Sequence, residues 1–235
     1  MLSLKNFSVS VEKKKIIKDI NFEFEKGKIY ALMGPNGSGK STFAYSITGH
    51  PAYSVEKGSE AVFEGEDIVN LSVDKRSVKG IFLSFQNPLS ILGVKLRQFL
   101  YFALQGKKDP LTISQEIKKY AKDLKISDDL LNRSLNEGAS GGEKKKLEVL
   151  QAAVLDKKLI IFDEVDTGVD VDALKTIAQF LRKNKTDKTY IIITHYNRIL
   201  KYLKPDHVIV LNQGVIKKVG DHTLAYDIEK NGYGK

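Results

Sequence analysis

The sequence has 235 residues, of which 42% are hydrophobic and 29% are charged, the composition of an ordinary globular chain able to bury a substantial core. It contains no cysteine, so this chain offers no disulfide, thiol nucleophile or thiolate metal ligand. The net charge of +9 comes from short lysine groups spread along the sequence, and only five of the 38 basic residues are Arg. That pattern indicates a solvated, lysine-rich surface and argues against a nucleic-acid partner.

The sequence also argues against direct membrane insertion. No apolar run approaches the roughly 20 residues that a membrane-spanning helix needs. The first residues have neither the layout of a secretory signal nor the Arg- and Ser-rich character of a transit peptide. We therefore expect a cytoplasmic protein.

The hydrophobic pattern predicts an alternation of strands and helices. Residues 2–11 and 20–24 alternate apolar and polar side chains, as half-buried strands do. Nearly continuous apolar runs predict fully buried strands at 28–34, 81–85, 159–164 and 190–195. Residues 94–131 are predicted to be helical, with one helix at 94–105 and another at 112–125, separated by a Gly-Lys-Lys-Asp-Pro break. Further helices are predicted at 40–49, from Ser140 onward and at 172–184, with strand–turn–strand units at 59–68 and 207–220. This order predicts an α/β fold with a mostly parallel sheet. We expect a single domain of residues 1–235, with a helical subdomain inserted at about 87–150.

The stretch GPNGSGKST, between a predicted buried strand and a predicted helix, satisfies the phosphate-binding pattern G-x-x-x-x-G-K-[ST]. Its glycines allow backbone N–H groups to point at phosphates, and the helix start adds partial positive charge. We expect Lys40 to reach the β- and γ-phosphates and Ser41 to ligate Mg²⁺. A tight turn that merely caps the helix is the alternative, and it does not require this spacing. The predicted nucleotide-binding residues here are Gly34, Pro35, Asn36, Gly37, Ser38, Gly39, Lys40, Ser41 and Thr42.

Two carboxylates, Asp163 and Glu164, follow the buried strand LIIFD. A carboxylate at the tip of such a strand, beside a phosphate loop, can hold the Mg²⁺ shell, and this role is assigned to Asp163. Glu164 can polarise the attacking water as a general base. The alternative is a pair of surface carboxylates that simply end a strand, and the nearby phosphate loop makes it the weaker interpretation.

A second phosphate-type stretch, SGGEKKK, begins at Ser140. Ser140 and Glu143 form the S-x-x-E pattern of a capping box, which an ordinary helix start would explain. That alternative leaves Gly141, Gly142 and the three following lysines unexplained, because the helix dipole favours acids in a first turn. We therefore predict that this helix start meets an anion.

Together these motifs resemble those of the ATP-binding-cassette (ABC) ATPases, over nearly the whole chain. The resemblance implies a phosphate-loop core with a mostly parallel sheet, an antiparallel β-subdomain and an inserted helical subdomain. It implies ATP and Mg²⁺ as cofactors and a transient homodimer formed on ATP binding. The signature residues Ser140, Gly141, Gly142 and Glu143 of one copy then close on the ATP held by the other copy, so one chain needs both phosphate-binding stretches.

Three further positions match the family one at a time. Gln86, in SFQNP, resembles the glutamine that touches the metal or the lytic water and marks the start of the helical insertion. Residues 167–170 (TGVD) match the loop that runs along the dimer seam. His195 resembles the histidine that contacts the γ-phosphate. A lone His after a strand is more often structural, but here it follows the other motifs. Lys40, Glu164 and His195 are thus the predicted catalytic residues, and Ser41, Gln86 and Asp163 the predicted metal ligands.

Several phrases resemble one branch of the family, the Suf-type ATPases of iron–sulfur cluster assembly. They are TGHPAY, LSFQNP, GASGGEKKKLEVLQ, DEVDTGVDVDALK, THYNRIL and KPDHVIVL. This implies a scaffold partner of the SufB/SufD kind, docked between about Asn87 and Leu104 and carrying the cluster ligands that a chain without cysteine lacks. Two alternatives stay open: the ATPase of a transporter with a separate permease, and a nucleotide-gated translation or DNA-maintenance module. The choice between ATP and GTP also stays open.

Overall fold

The computed structural model of the chain describes residues 1–86, 88–195 and 197–233. Its strands are β1 (Leu2–Val11), β2 (Lys14–Phe24), β3 (Ile29–Met33), β4 (Ser54–Val55), β5 (Glu60–Phe63), β6 (Glu66–Asp67), β7 (Ile81–Ser84), β8 (Ile91–Lys95), β9 (Ser134–Leu135), β10 (Leu159–Asp163), β11 (Thr189–Ile193), β12 (His207–Asn212) and β13 (Val215–Gly220). Its helices are α1 (Lys40–Thr48), α2 (Val73–Lys79), α3 (Leu96–Leu104), α4 (Pro110–Leu124), α5 (Asp128–Asn132), α6 (Gly141–Val154), α7 (Val171–Lys183), α8 (Leu200–Leu203) and α9 (Thr223–Asn231).

The predicted α/β fold is confirmed by a six-stranded sheet in the order β13-β12-β3-β11-β10-β7. All neighbours in it are parallel except β13, which returns antiparallel to β12 at one edge. The carboxyl ends of parallel strands lie at one edge of a sheet, so the loops after β3, β7, β10 and β11 are brought together. These loops carry most of the predicted site residues.

The second sheet is antiparallel, with the order β2-β1-β5-β6 and with β4 paired to β1. It is the antiparallel part that the family resemblance implies. The strand predicted at 20–24 is the end of the longer β2, whose first residues, Lys14 and Lys15, are exposed. Residues 12–15 are all charged, so the alternation of apolar and polar side chains that indicates a strand is absent where β2 begins.

Two hydrophobic clusters lie on opposite faces of the parallel sheet. Ile29, Ala31 and Met33 of β3 belong to one cluster, whereas Tyr30 and Leu32 belong to the other. Since successive side chains of a strand point to opposite faces, both sets are buried, which explains the continuous apolar pattern of this strand. The first cluster continues into α3, α4, α6 and α7, and the second includes α1 and the antiparallel sheet.

The helices predicted at 94–105 and 112–125 are α3 and α4, and α5 follows within the stretch predicted as helical. Helix α3 begins later than expected. Val94 and Lys95 belong instead to β8, which pairs with β9. Helix α4 begins at Pro110, with the Asp109 side chain accepting a hydrogen bond from the Thr112 N–H. Proline at the first helical position and an aspartate cap explain this start. None of the helices in the three described ranges is long and apolar enough to cross a membrane.

Candidate functional site

The phosphate loop joins β3 to α1, and its glycines are required by close packing. A Cβ atom on Gly34 would lie 2.0 Å from the carbonyl oxygen of Leu211 in β12. Gly39, directly before α1, has φ 106°, a conformation that favours glycine. The loop therefore has little room for other residues at these two positions.

The first turn of α1 is prepared for an anion. It has no side-chain cap and no acidic residue, so no carboxylate competes for its N–H groups. The ammonium of Lys40 is buried and donates to the carbonyl oxygens of Gly34 at 2.8 Å and Pro35 at 3.0 Å. Burial lowers the pKa of Lys40, while the carboxylates of Glu164 and Asp163 oppose that shift. The arrangement fits the phosphates of a nucleotide.

Asp163 ends β10 beside this loop, and its carboxylate is buried. Burial raises the pKa of Asp163, and a hydrogen bond with the Ser41 side chain opposes this shift. A carboxylate and a hydroxyl in contact are oxygen donors of the kind that Mg²⁺ prefers. The residues present thus fit the predicted metal.

Glu164 has a left-handed backbone, with φ 53°, which is uncommon for a non-glycine residue. One carboxylate oxygen, Oε1, lies 2.6 Å from Nε2 of His195. The other, Oε2, accepts a hydrogen bond from the Gln86 amide and one of 3.3 Å from the Thr167 hydroxyl. Gln86 after β7 and His195 after β11 therefore both contact the carboxylate of Glu164, which follows β10.

Glu164 and His195 face the phosphate loop across an open cleft of about 410 Å³. Ile16 of the β1–β2 hairpin lines the same cleft. The structure thus brings together Lys40, Ser41, Glu164 and His195, as the motifs require. Asn87, the predicted start of the docking segment, lies outside the described residues.

The second phosphate-type stretch is not part of this cleft: none of residues 140–143, all of which are described, lines it. Ser140 and Glu143 form the predicted capping box, with the Ser140 N–H donating to Glu143 at 2.8 Å and the Glu143 N–H to Ser140 at 3.3 Å. Ser140 itself is exposed. Within one copy, this stretch therefore does not line the phosphate-loop cleft.

The structure gives the glycine pair a packing reason that the sequence argument missed. A Cβ atom on Gly141 would lie 2.5 Å from the carbonyl oxygen of Gly168, and one on Gly142 would lie 3.0 Å from Cβ of Ala173. The three lysines do not form one charged group either. Lys145 is buried, 3% exposed, and donates to the carbonyl oxygen of Phe85. The expectation that all these features await an anion is wrong for Lys145.

We expect Gly141→Ala to lower the free energy of unfolding by about 1–3 kcal/mol, because the new methyl group meets backbone that cannot move freely. Gly142→Ala is the matched comparison and should cost less, since its methyl group meets side chains instead. Urea unfolding of both variants measures the difference. A Gly142→Ala variant less stable than Gly141→Ala would contradict this packing account.

Sequence analysis also missed contacts that hold residues 166–170. The Thr194 hydroxyl donates to the Asp166 carboxylate at 3.0 Å. The guanidinium of Arg198 donates to the carbonyl oxygens of Asp166 at 3.3 Å and Val169 at 2.9 Å. Burial raises the pKa of Asp166, opposed first by the bond from Thr194. In the sequence, these contacts could have been suspected only because Thr194 and Arg198 lie close to His195 along the chain.

Comparison with known proteins agrees with the fold. The family model described as ABC transporter matches residues 17–167. The chain therefore belongs to the ABC transporter family and is an ABC-type ATPase.

Several curated relatives match over nearly the full chain. One is the "Probable ATP-dependent transporter SufC" of Escherichia coli (strain K12), 44% identical over 100% of this chain and 98% of its own length. Another is the "Probable ATP-dependent transporter ycf16" of Trieres chinensis, 43% identical over 99% of this chain and 96% of its own length. The solved dimeric post-hydrolysis state of the ATP-binding cassette MJ0796, bound to ADP and Pi, has the same fold. Its TM-score is 0.79 at 21% identity, over 94% of this chain and 99% of that one.

Proposed function

We propose that this chain hydrolyses ATP in order to drive a soluble iron–sulfur cluster assembly scaffold, through dimerisation of two copies on ATP. The observation that carries the proposal is the position of Glu164, held by His195 and Gln86 at the mouth of the phosphate-loop cleft. The similarity to SufC of Escherichia coli supports the choice of branch. A cytoplasmic location and the single-domain organisation with a helical insertion are parts of the same proposal.

In this proposal each side chain has one task. Lys40 leaves the carbonyl oxygens of Gly34 and Pro35 and binds the β- and γ-phosphates. Glu164 accepts a proton from the attacking water, and His195 contacts the γ-phosphate. The contact of 2.6 Å between His195 and Glu164 orients the carboxylate that must act as the base.

Ser41, Asp163 and Gln86 would hold Mg²⁺, since all three have side-chain oxygen atoms: Ser41 and Asp163 are in contact, and Gln86 bonds to Glu164, which lines the cleft. Bound there, Mg²⁺ would neutralise negative charge that develops on the phosphate oxygens. Gln86 bonds to Glu164 through its amide nitrogen, so its amide oxygen is the atom with which it would contact the metal. Its predicted role thus links the metal and the base.

The nucleotide site is proposed to need a second copy. Ser140 to Glu143 lie outside the cleft of their own chain, and Ser140 is exposed. A solved cassette of this fold, MJ0796, is a dimer bound to ADP and Pi. In an equivalent dimer, the helix start at Ser140 of one copy would face the phosphates held by the other copy.

We expect Ser140→Arg to block ATP-driven dimerisation while the monomer still binds ATP. The exposed position has room for a long side chain, at a cost of about 0.5–2 kcal/mol for the lost N-cap bond, and the arginine would fill the space between two copies. Sedimentation with ATP and Mg²⁺ measures dimer formation, and calorimetry measures ATP binding. A normal ATP-bound dimer of this variant would contradict the composite site.

The partner on which the ATPase is proposed to act is a scaffold protein of the SufB/SufD kind. Large apolar side chains are exposed just after the Gln86 loop, including Leu89 at 72% and Leu92 at 74%. Exposed apolar groups of this size are typical of interaction surfaces, and they lie in the segment where the family resemblance places the partner. Because the chain has no cysteine, thiolate ligands of a cluster would have to come from that partner.

The names of both relatives, "ATP-dependent transporter", favour a second candidate, the ATPase of a transporter with a separate permease. Capture of the binding partner distinguishes the two candidate functions. A tagged Glu164→Gln variant is added to its native extract with ATP and Mg²⁺, and co-purifying proteins are identified by mass spectrometry. A soluble scaffold that carries an iron–sulfur cluster supports the proposal. A multi-span membrane protein in its place would make the chain a transporter subunit.

A further inference from the structure

Helix α6, which begins with the signature glycines, carries a buried ion pair. Lys145 is 3% exposed and Glu148 is 5% exposed, and Nζ of Lys145 lies 3.2 Å from Oε2 of Glu148. Taking both from water is costly, and such a pair is weak evidence for a role in stability alone.

The remaining bonds of the pair converge on the end of β7. Oε2 of Glu148 accepts from the Ser84 hydroxyl at 2.6 Å, and Oε1 accepts from the Phe85 N–H at 3.1 Å. The ammonium of Lys145 donates to the Phe85 carbonyl oxygen. Two side chains of α6 thus bond both backbone polar groups of Phe85.

Phe85 immediately precedes Gln86, whose amide donates to the Glu164 carboxylate. The backbone that leads into Gln86 is therefore fixed by α6, while the side chain of Gln86 touches the proposed base. Phe85 itself is 46% exposed, so its own side chain does not anchor this loop in the core. Residues of the signature helix, not local packing, determine where the loop starts.

We propose that Lys145 and Glu148 are positioning residues that hold Gln86 against Glu164 and so couple the signature helix to the catalytic carboxylate. A shift of the start of α6, as a second copy closes on it, would move the Phe85 peptide and with it Gln86. This inference rests on the proposed roles of Glu164 and Gln86. It assigns the coupling to a pair of charges that are not among the predicted nucleotide-binding residues.

The test replaces the pair by neutral side chains of similar size, Lys145→Met with Glu148→Gln. Removing one partner alone would leave a buried charge unpaired and could prevent folding, whereas the double change leaves none. We expect an unchanged thermal midpoint, an ATP Kd within about twofold, and a kcat lower by about 10–100-fold, as for groups that orient a catalytic residue. The control is Lys108→Met with Glu116→Gln, which removes a half-buried Lys–Glu pair of 2.7 Å elsewhere in the helical region. Its kcat should not change.

A double-mutant cycle with Gln86→Ala then distinguishes positioning from a general structural role. If the pair acts through Gln86, its replacement should lower kcat much less in the Gln86→Ala background than in the unaltered chain. Equal losses in both backgrounds, or an unchanged kcat for the pair variant, would overturn the inference. Glu164→Gln is measured alongside: full activity of that variant would instead reject the proposed function on which the inference rests.

Discussion

Replacing Glu164 by Gln is expected to lower kcat for ATP hydrolysis by about 10²–10⁴-fold, the range that general-base catalysis contributes. The amide keeps the size of the side chain and can still bond to His195 and Gln86, but it cannot accept the proton of the attacking water. ATP binding should remain, because the phosphate loop is unchanged. ATP-bound dimer should therefore accumulate, which sedimentation in the presence of ATP and Mg²⁺ measures.

The matched control for this prediction is Glu60→Gln, which neutralises an exposed carboxylate on the antiparallel sheet. Its turnover should equal that of the unaltered chain. A Glu164→Gln variant with normal turnover would remove Glu164 from the role of base. In that case the contact with His195 would have only a structural meaning.

Lys40→Ala is expected to weaken ATP binding by about 10–100-fold, since hydrogen bonds to charged groups contribute roughly 1.5–3 kcal/mol. Lys40 is the one described residue of the phosphate loop whose side chain carries a positive charge, and it is already desolvated. Its replacement removes the cationic contact to the phosphates and leaves the backbone N–H groups in place. Titration calorimetry with ATP and Mg²⁺ measures the affinity.

Lys57→Ala, in an exposed turn, removes the same charge at a position away from the cleft. It should bind ATP with unchanged affinity, which separates the local contact from the effect of net charge. An unchanged ATP affinity in Lys40→Ala would contradict the assignment of the phosphate loop. A thermal melt of each variant checks that both are folded.

Local patterns predicted the centre of the fold well. The strand at β3 was predicted because both of its faces are buried, so apolar residues follow one another without a break. The start of α1 was predicted because the phosphate-loop spacing places Lys40 at a helix start. Glu164 was predicted from the carboxylates that end β10, and Gln86 and His195 from the resemblance to the ABC ATPases; all three follow strands of one sheet. Because the carboxyl ends of parallel strands lie at the same edge of a sheet, residues that follow different strands come close together.

Contacts between distant residues could not be predicted in this way. The bond from Lys145 to Phe85 joins residues 60 positions apart, and nothing in the lysine run distinguishes the buried Lys145 from its neighbours. The same holds for Gly141, whose need for glycine comes from the carbonyl of Gly168. A pattern within one element cannot indicate which backbone will lie against it.

Helix α2 was missed for a related reason. Its sequence, VDKRSVK, has no apolar stripe that would indicate a helix. Its buried residue is Arg76, whose guanidinium donates to the carbonyl oxygens of Ser46 and Ile47 at the end of α1. Because α2 is held by hydrogen bonds from a buried arginine to carbonyl oxygens of α1, its sequence lacks the apolar pattern that predicts a helix.

The most direct test of the central claim, that each nucleotide site combines two copies, mixes two impaired variants. Glu164→Gln lacks the base, and Ser140→Ala lacks the signature hydroxyl without adding the arginine that would block dimerisation. In a mixed dimer, one site would combine the intact Glu164 of the second variant with the intact Ser140 of the first. We predict that the mixture hydrolyses ATP faster than the sum of the two variants measured separately. Turnover no greater than that sum would contradict the claim.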